Sequence, residues 1–313
     1  MNQDWHDFLQ QQGAEIRQGL VQHFPDTENA RPPGWYSDLS AHVPVRVSGT
    51  DAFDFLQGQV SCDLNQIPDD QAVLTAWHDA RGRVQSLMYL FRTDDTPVLL
   101  LPREQVEPIL RKLQLYVLRA DVRFERLAET QVVLAWLGTE DEPRSDGISL
   151  QGAPGLHLWT GNIDAARGQW TKLREDGWQP VAWPRWRARE IERGIPRVLP
   201  ETAGEFLPQF LDLERFGGLS YQKGCYIGQE VIARTHYLGK VKRGLYLASA
   251  SESLAPGTEI LSRNGDRAGL VLDCAPTDEG WRIQLVLRHE IADRAAKTAS
   301  NVSLRQVNRT QVA

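Results

Sequence analysis

The sequence lacks the motifs by which large enzyme classes hold metals and nucleotides. It has three cysteines, Cys62, Cys225 and Cys274, and no CxxC pair, so neither a disulfide framework nor a self-contained zinc or iron-sulfur site is indicated. Its seven histidines form no HExxH or HxH pattern, and we expect no resident metal. Neither a G-x-G-x-x-G turn nor a Walker A loop occurs, which argues against nucleotide-dependent chemistry.

Long hydrophobic runs and an excess of basic residues are also missing. The longest apolar runs, such as 98–101, are far too short to span a bilayer, and the first residues have no basic or apolar leader pattern. A net charge of −6 disfavours a dedicated nucleic-acid binder. We therefore expect a cytoplasmic protein without membrane contact and without direct nucleic-acid contact.

The length of the chain and the changes in local sequence pattern along it predict several subdomains. At 313 residues, with 41% hydrophobic and 24% charged residues, the chain has a globular composition and exceeds one ordinary domain. A polar stretch that ends in Arg-Pro-Pro-Gly predicts an N-terminal arm over 1–33. Short strands separated by Pro-Gly and Asn-Gly turns predict a small β-barrel or sandwich over 241–313.

The middle region, 34–240, alternates strand and helix patterns. Strands are predicted at 43–47, 73–77, 84–91, 98–101, 122–124 and 132–137. Helices are predicted just after Asp51 and at 103–115, 163–175, 184–193 and 228–235. The segment 79–82, Asp-Ala-Arg-Gly, is predicted to be a hairpin turn.

Residues 223–230, Lys-Gly-Cys-Tyr-Ile-Gly-Gln-Glu, set one cysteine between two glycines and near charged side chains. The cations Lys223 and Arg234 are expected to favour the thiolate form of Cys225. The pattern alone leaves two readings open, because a cysteine in a glycine-bracketed turn is often a small buried residue rather than a nucleophile.

A short helix is expected directly after this cysteine. It would start at Gly228, and Gln229 and Glu230 suit its first turn. Cys225 would then lie just ahead of a helix N-terminus, where the backbone dipole also favours an anion.

Tryptophans crowd the region before residue 192. Trp178, Trp183 and Trp186 lie close in sequence to the carboxylate of Glu192. This combination suits a flat heteroaromatic ligand such as a pterin, because a carboxylate accepts paired hydrogen bonds from an amino-pyrimidine edge. Alternatively, Trp186 and Ile191 are the core side of an amphipathic helix with an arginine-rich solvent face.

Taken together, these segments resemble the YgfZ family of folate-binding proteins, relatives of the glycine-cleavage T-protein. The matching segments are 47–52, 55–63, 79–83, 191–196, 206–209, 217–220 and 223–230, followed by 233–234. The segment 223–230 carries the family signature K-G-C-[FY]-x-G-Q-E in full.

The resemblance implies a fold and a ligand. The fold would be α+β, a T-protein-like region of mixed and antiparallel sheets with helices, plus a small C-terminal β-barrel. The cofactor would be tetrahydrofolate or another reduced folate, with Glu192 as the pterin-holding carboxylate and Trp186 lining the folate pocket. Cys225 matches the signature cysteine, and His42 stands where some members carry a second folate-site tryptophan.

The resemblance also separates two functions within these relatives. In T-proteins the turn corresponding to 81–82 is followed by an acidic pair that carries aminomethyl transfer, whereas 84–87 is Val-Gln-Ser-Leu here. The signature position that holds Asp in T-proteins is Cys225. Both changes point away from a typical aminomethyltransferase.

The resulting hypothesis is a folate-dependent accessory protein that supports the assembly, repair or activity of iron-sulfur enzymes, such as radical enzymes that thiolate tRNA. Cys225 would be the reactive thiol, with Lys223, Gln229, Glu230 and Arg234 supporting it. A folate-dependent one-carbon transferase and a non-catalytic folate-sensing scaffold remain alternatives. No general acid–base pair is evident beside the thiol, so the sequence does not show whether a reaction is catalysed.

Overall fold

The computed structural model describes residues 1–25, 32–138, 147–298 and 302–310. The chain divides into two compact units, each built from three separate stretches. Unit 1 comprises residues 1–55, 65–74 and 88–186, and unit 2 comprises residues 56–64, 75–87 and 187–313. The regions predicted from the sequence, with boundaries near residues 33 and 240, are each continuous along the chain. These boundaries stay a prediction.

The described residues form six helices and eighteen strands. The helices are α1 (Gln3–Gln11), α2 (Ala52–Gln57), α3 (Val106–Val117), α4 (Ile163–Glu175), α5 (Trp183–Glu192) and α6 (Gln229–Leu238). The strands are β1 (Glu15–Arg17), β2 (Leu20–His23), β3 (Gly34–Asp38), β4 (His42–Ser48), β5 (Gln71–His78), β6 (Val84–Thr93), β7 (Thr96–Pro102), β8 (Arg123–Arg126), β9 (Val132–Gly138), β10 (Ile148–Leu150), β11 (Leu156–Gly161), β12 (Gln179–Pro180), β13 (Arg243–Ala250), β14 (Glu259–Ser262), β15 (Arg267–Thr277), β16 (Gly280–Arg288), β17 (Ala295–Thr298) and β18 (Arg305–Arg309). Among the described residues, no helix is long and apolar enough to cross a bilayer.

A mixed sheet of ten strands provides most of unit 1. Its order is β12-β3-β9-β11-β10-β5-β6-β7-β4-β8. Two pairs are parallel, β10 with β5 and β12 with β3. Strand β9 pairs antiparallel with both β3 and β11, and β7 pairs antiparallel with β4. Residues 75–78 of β5 and 84–87 of β6 are counted in unit 2.

The N-terminal helix contributes to the core of unit 1. Trp5 and Leu9 of α1 belong to one apolar cluster with Trp136 of β9 and Trp170 of α4. The rings of Trp5 and Trp170 meet edge to face at 5.9 Å. The indole Nε1 of Trp5 donates a 2.9 Å hydrogen bond to the buried carboxylate of Asp38, which fixes α1 against the end of β3.

Unit 2 contains an antiparallel sheet of six strands in the order β17-β14-β15-β16-β13-β18. The order is open, with β17 and β18 at its ends, so the predicted C-terminal barrel is a half-barrel. Alternating residues of β13, β15 and β16 form its apolar core, among them Val271, Ile283 and Leu285, each fully buried. The predicted α+β class, with mixed sheets followed by a C-terminal β-module, is confirmed.

Candidate functional site

The signature cysteine lies at the surface of unit 2, in the turn that precedes α6. Cys225 is exposed, Cys274 is half-buried and Cys62 is fully buried. Burial raises the pKa of the Cys62 thiol to about 11 and also raises the pKa of Cys274. Because the thiolate is the reactive form, the exposed cysteine is the one available for chemistry. No group of three or more His, Cys, Asp or Glu side chains in the described ranges is arranged to hold a metal ion.

We expect the native protein to react fast with a thiol reagent such as Ellman's reagent at Cys225 alone. The Cys62 thiol is sealed and protonated near neutral pH, so it should react only on unfolding. The measurement is the number of thiols labelled in the folded protein and in denaturant. Cys225→Ala should remove the fast phase, and a fast phase that survives this substitution would contradict the assignment.

Gly228 fixes the junction between the cysteine turn and α6. It is the N-cap of the helix, with φ at +79°, a backbone conformation that favours glycine. A Cβ atom at Gly228 would lie 2.6 Å from the carbonyl oxygen of Asp79 and 2.7 Å from Cα of Gly82. Gly224, on the other side of the cysteine, has open space around its Cα and no positive φ. The predicted helix is present and extends to Leu238.

The Asp79–Gly82 turn is the surface against which Gly228 packs. The Asp79 side chain organises this turn, because its Oδ1 accepts hydrogen bonds from the backbone N–H groups of Arg81 and Arg83, both at 2.9 Å. The backbone N–H of Gly82 donates to the Asp79 carbonyl at 2.9 Å. The predicted hairpin turn between β5 and β6 is therefore confirmed.

Lys223 ties the cysteine turn to residues 60–62. Its buried Nζ donates to the carbonyl oxygens of Val60 at 2.9 Å and Cys62 at 2.6 Å. The ammonium also lies 5.0 Å from the centre of the Tyr226 ring, a cation–π distance. Burial is the largest cause that lowers the pKa of Lys223 to about 8. The cation expected to assist Cys225 thus bonds to two carbonyls and holds the backbone of the turn.

A second set of hydrogen bonds joins the same segment to the start of the turn. Ser61 Oγ donates to the carbonyl oxygen of Gly218 at 2.5 Å, and Thr75 Oγ1 donates to it at 3.3 Å. The backbone N–H of Ser220 donates to the Ser61 carbonyl at 2.9 Å. Ser61 and Thr75 are both fully buried, so the segment 58–63 is anchored in the interior of unit 2.

Of the other supporting residues, Gln229 participates in the turn and two do not. The Gln229 side chain accepts from the backbone N–H of Tyr226 at 3.3 Å and donates to the Lys223 carbonyl at 3.4 Å. Glu230 and Arg234 are exposed, and within the described ranges their side chains form no hydrogen bond or ion pair. The carboxylate and guanidinium are therefore available to a partner.

His78, which the sequence analysis did not single out, lies behind the cysteine turn. Its ring centroid is 6.1 Å from that of Tyr226. Burial first, and then the charge of Lys223, lower the pKa of His78 to about 3, so the imidazole is neutral. Neither ring nitrogen has a hydrogen-bond partner among the described residues. Its position directly before the Asp79 turn is the signal that could have identified it.

Glu192 ends α5 with an exposed carboxylate. Oε1 accepts from Arg282 of β16, at 3.0 Å from Nη2 and 3.3 Å from Nε. Oε2 has no hydrogen-bond donor among the described residues. The ion pair orients the carboxylate and leaves one oxygen able to accept from an amino-pyrimidine edge.

Trp186 is almost completely buried, at 1% exposure, and its indole Nε1 has no hydrogen-bond partner within the described part of the chain. Ile191 is buried as well, as the amphipathic-helix alternative requires. That alternative also predicted an arginine-rich solvent face, which is wrong for Arg187 because this side chain is buried.

His42 is buried in an aromatic neighbourhood of unit 1. Its ring centroid lies 5.8 Å from Trp183 and 5.5 Å from Tyr89. At the position where the resemblance implies a tryptophan in some relatives, this chain therefore has a flat ring among aromatic neighbours.

Arg187 is the centre of a buried charge network in unit 2. Its Nε donates to Asp273 at 2.7 Å and its Nη1 donates to Glu190 at 3.0 Å. Its Nη2 donates to the Ile195 carbonyl at 3.1 Å. One cation between two buried carboxylates joins α5 to β15.

The fold is similar to that of the glycine cleavage system aminomethyltransferase T from Bartonella henselae. The TM-score is 0.74, and the match covers 98% of this chain and 95% of that protein at 14% sequence identity. At this identity the likeness concerns the fold, and it confirms the expected T-protein-like architecture.

Sequence comparison gives nearer relatives, although no protein-family model matches the chain. The chain is 31% identical over 291 residues to the tRNA-modifying protein YgfZ of Escherichia coli O127:H6, a match that covers 85% of this chain and 89% of that protein. It is 30% identical over 298 residues, with the same coverage, to the protein of that name from Escherichia coli O157:H7. These matches confirm the resemblance carried by the signature around Cys225, and the chain belongs to the YgfZ family.

Proposed function

We propose that this chain is a cytoplasmic, reduced-folate-binding accessory protein that supports iron-sulfur enzymes, including those that thiolate tRNA. The observation that carries the proposal is the exposed thiol of Cys225, held on a turn fixed by Lys223, Gln229 and Gly228. The name of the E. coli relatives, tRNA-modifying protein, supports the link to tRNA modification.

The chemistry belongs to the thiol. As a thiolate, Cys225 would bind iron of a cluster intermediate or exchange with another sulfur species. The open space at Gly224 leaves one side of the cysteine backbone accessible to a partner. Lys223 and Gln229 keep the turn in one conformation, so a partner does not have to order it on binding.

Two polar atoms support folate as the ligand, together with the T-protein-like fold. Oε2 of Glu192 is an exposed acceptor, and Arg282 holds its carboxylate in one orientation. Nε1 of Trp186 is a buried donor without a partner among the described residues. The folate would supply a pterin edge that donates hydrogen bonds, and Oε2 of Glu192 would accept from it.

We expect Cys225→Ala to abolish support of tRNA thiolation. The test uses cells that lack their own homologue and measures the methylthio-adenosine content of their tRNA after complementation. Wild-type protein should restore the modification and Cys225→Ala should not, at equal protein level, because only the exposed thiol is removed. The matched control Cys274→Ala removes a half-buried thiol and should restore it.

The other outcomes would indicate different functions. Equal restoration by Cys225→Ala would favour a folate-sensing scaffold, in which Glu192→Ala weakens folate binding and the cysteine is dispensable. Failure of the wild type would favour a one-carbon transferase, for which formaldehyde-equivalent transfer to tetrahydrofolate by the purified protein is the assay. The absence of carboxylates at 84–87 predicts no such transfer.

A further inference from the structure

Helix α6 exposes apolar side chains directly after the cysteine turn. Val231, Tyr237 and Leu238 are 38%, 64% and 84% exposed, and Val241, just beyond the helix, is 38% exposed. The one buried residue of the helix is Ile232. A helix on a globular protein normally turns its apolar stripe toward the core, so the distribution on α6 is the reverse of the usual one.

The exposed residues share one face of the helix. At about 100° per residue, Val231, Arg234, Tyr237 and Leu238 fall within an arc of roughly 120°, centred almost opposite Ile232. We call this face, extended by Val241, the α6 stripe. Contiguous exposed apolar surface marks an interaction site, whereas scattered single residues do not.

Cations outnumber carboxylates around the α6 stripe. Residues 230–243 contain four cations and one carboxylate, that of Glu230, which is exposed on the same face, whereas the whole chain has a net charge of −6. The side chains of Arg234, Lys240 and Lys242 are exposed, and none of them pairs with a carboxylate in the described ranges. Such a surface is complementary to an acidic partner.

The aromatic member of the α6 stripe is held in place. The rings of Tyr221 and His236 stack at 3.7 Å, and His236 meets Tyr237 edge to face at 4.8 Å. The hydroxyl of Tyr221 donates to Glu214, which anchors the stack. An ordered, exposed tyrosine next to an arginine is the composition found at the energetic centre of protein interfaces.

We propose that the α6 stripe is the docking surface for the iron-sulfur enzyme that Cys225 serves, and that this enzyme presents acidic residues around an apolar patch. The inference rests on the proposed function and names the partner surface for it. Because α6 begins four residues after Cys225, an enzyme seated on the stripe is brought to the thiol. A protein is favoured over RNA because Val231, Leu238 and Val241 are aliphatic, and within the stripe only Tyr237 offers a ring on which a base can stack.

The direct test is a binding titration with the purified iron-sulfur methylthiotransferase that forms methylthio-adenosine in the same cells. Leu238→Asp should raise the Kd at least roughly tenfold, because it sets a carboxylate at the apolar centre opposite acidic groups. The matched control is Leu115→Asp, on α3 of unit 1, where the leucine is 75% exposed. The control should leave the Kd unchanged, and both variants should keep the wild-type melting temperature.

Cellular complementation separates the docking surface from the function of the thiol. Leu238→Asp should lower the methylthio-adenosine content although Cys225 is intact. The docking surface would be overturned, and the proposed function left standing, if Leu238→Asp bound the enzyme with the wild-type Kd and restored the modification while Cys225→Ala did not restore it. Full restoration by Cys225→Ala would overturn both. Binding of tRNA alone, abolished by Leu238→Asp, would assign the stripe to nucleic acid and overturn the proposal.

Discussion

Replacement of Arg187 by leucine is expected to lower the free energy of unfolding by about 3–5 kcal/mol. The substitution removes the guanidinium between Asp273 and Glu190, whose side chains are 6% and 3% exposed. Two carboxylates then remain in the interior without their shared cation, so the largest favourable charge interaction of each is lost. Urea unfolding followed by tryptophan fluorescence measures the loss.

The matched control is Arg282→Leu, which breaks an arginine–carboxylate pair at the surface of the same unit. Arg282 and Glu192 are 30% and 42% exposed, so water screens the pair and its loss should cost below about 1 kcal/mol. Adding Asp273→Asn and Glu190→Gln to Arg187→Leu should recover part of the stability, because the two buried charges that Arg187 had paired with are removed. Equal losses for Arg187→Leu and Arg282→Leu would contradict the buried network as a source of stability.

Substitution of Gly228 by alanine is expected to destabilise the cysteine turn by about 2–5 kcal/mol, from backbone strain and steric overlap together. The new Cβ would meet backbone atoms of the Asp79–Gly82 turn at 2.6–2.8 Å, and those atoms belong to a hydrogen-bonded turn. Hydrogen exchange of the amides in 226–232, together with the melting temperature, measures the effect.

Gly224→Ala is the matched control for this prediction. Its Cα has no heavy atom near the position of an added Cβ and its φ is not positive, so the change should stay within about 0.5 kcal/mol. The two variants also test function. Gly228→Ala should disorder the turn that exposes Cys225, whereas Gly224→Ala should leave this turn in its wild-type conformation. Equal amide hydrogen-exchange rates and equal melting temperatures for the two variants would refute the tight junction at Gly228.

Elements with strong local signals were predictable from the sequence. Helix α4 has the predicted bounds, 163–175, because Asn162 caps it with a 2.9 Å hydrogen bond to the N–H of Ala165 and because Trp170 and Leu173 recur on its buried face. The predicted helix at 103–115 was right in place, but it starts as a 3-10 turn over Arg103–Gln105.

Elements that depend on distant pairing were missed. Strand β12 has two residues and exists because it pairs in parallel with β3, more than a hundred residues earlier. Strand β10 has three residues and lies between β5 and β11. Two or three residues carry no period of their own, so local patterns contain no signal for them.

The same limit applied to the site. The sequence identified Cys225 and the helix after it, because the glycines, the signature and the helix pattern are contiguous. The carbonyl partners of Lys223 lie 161 and 163 residues away, and the Asp273 partner of Arg187 lies 86 residues away. A cation on a helix or turn reads as solvent-facing until its distant partner is known.

The bond between Lys223 and residues 60–62 has a consequence for synthesis on the ribosome. Because 161 residues separate Cys62 from Lys223, and roughly 5–20 residues are added per second, Lys223 is made about 8–32 s after Cys62. Throughout that interval the Val60 and Cys62 carbonyls lack the ammonium that binds them in the finished protein. The cysteine turn therefore closes on this segment late in synthesis, and the folding of unit 2 depends on its last stretch, 187–313.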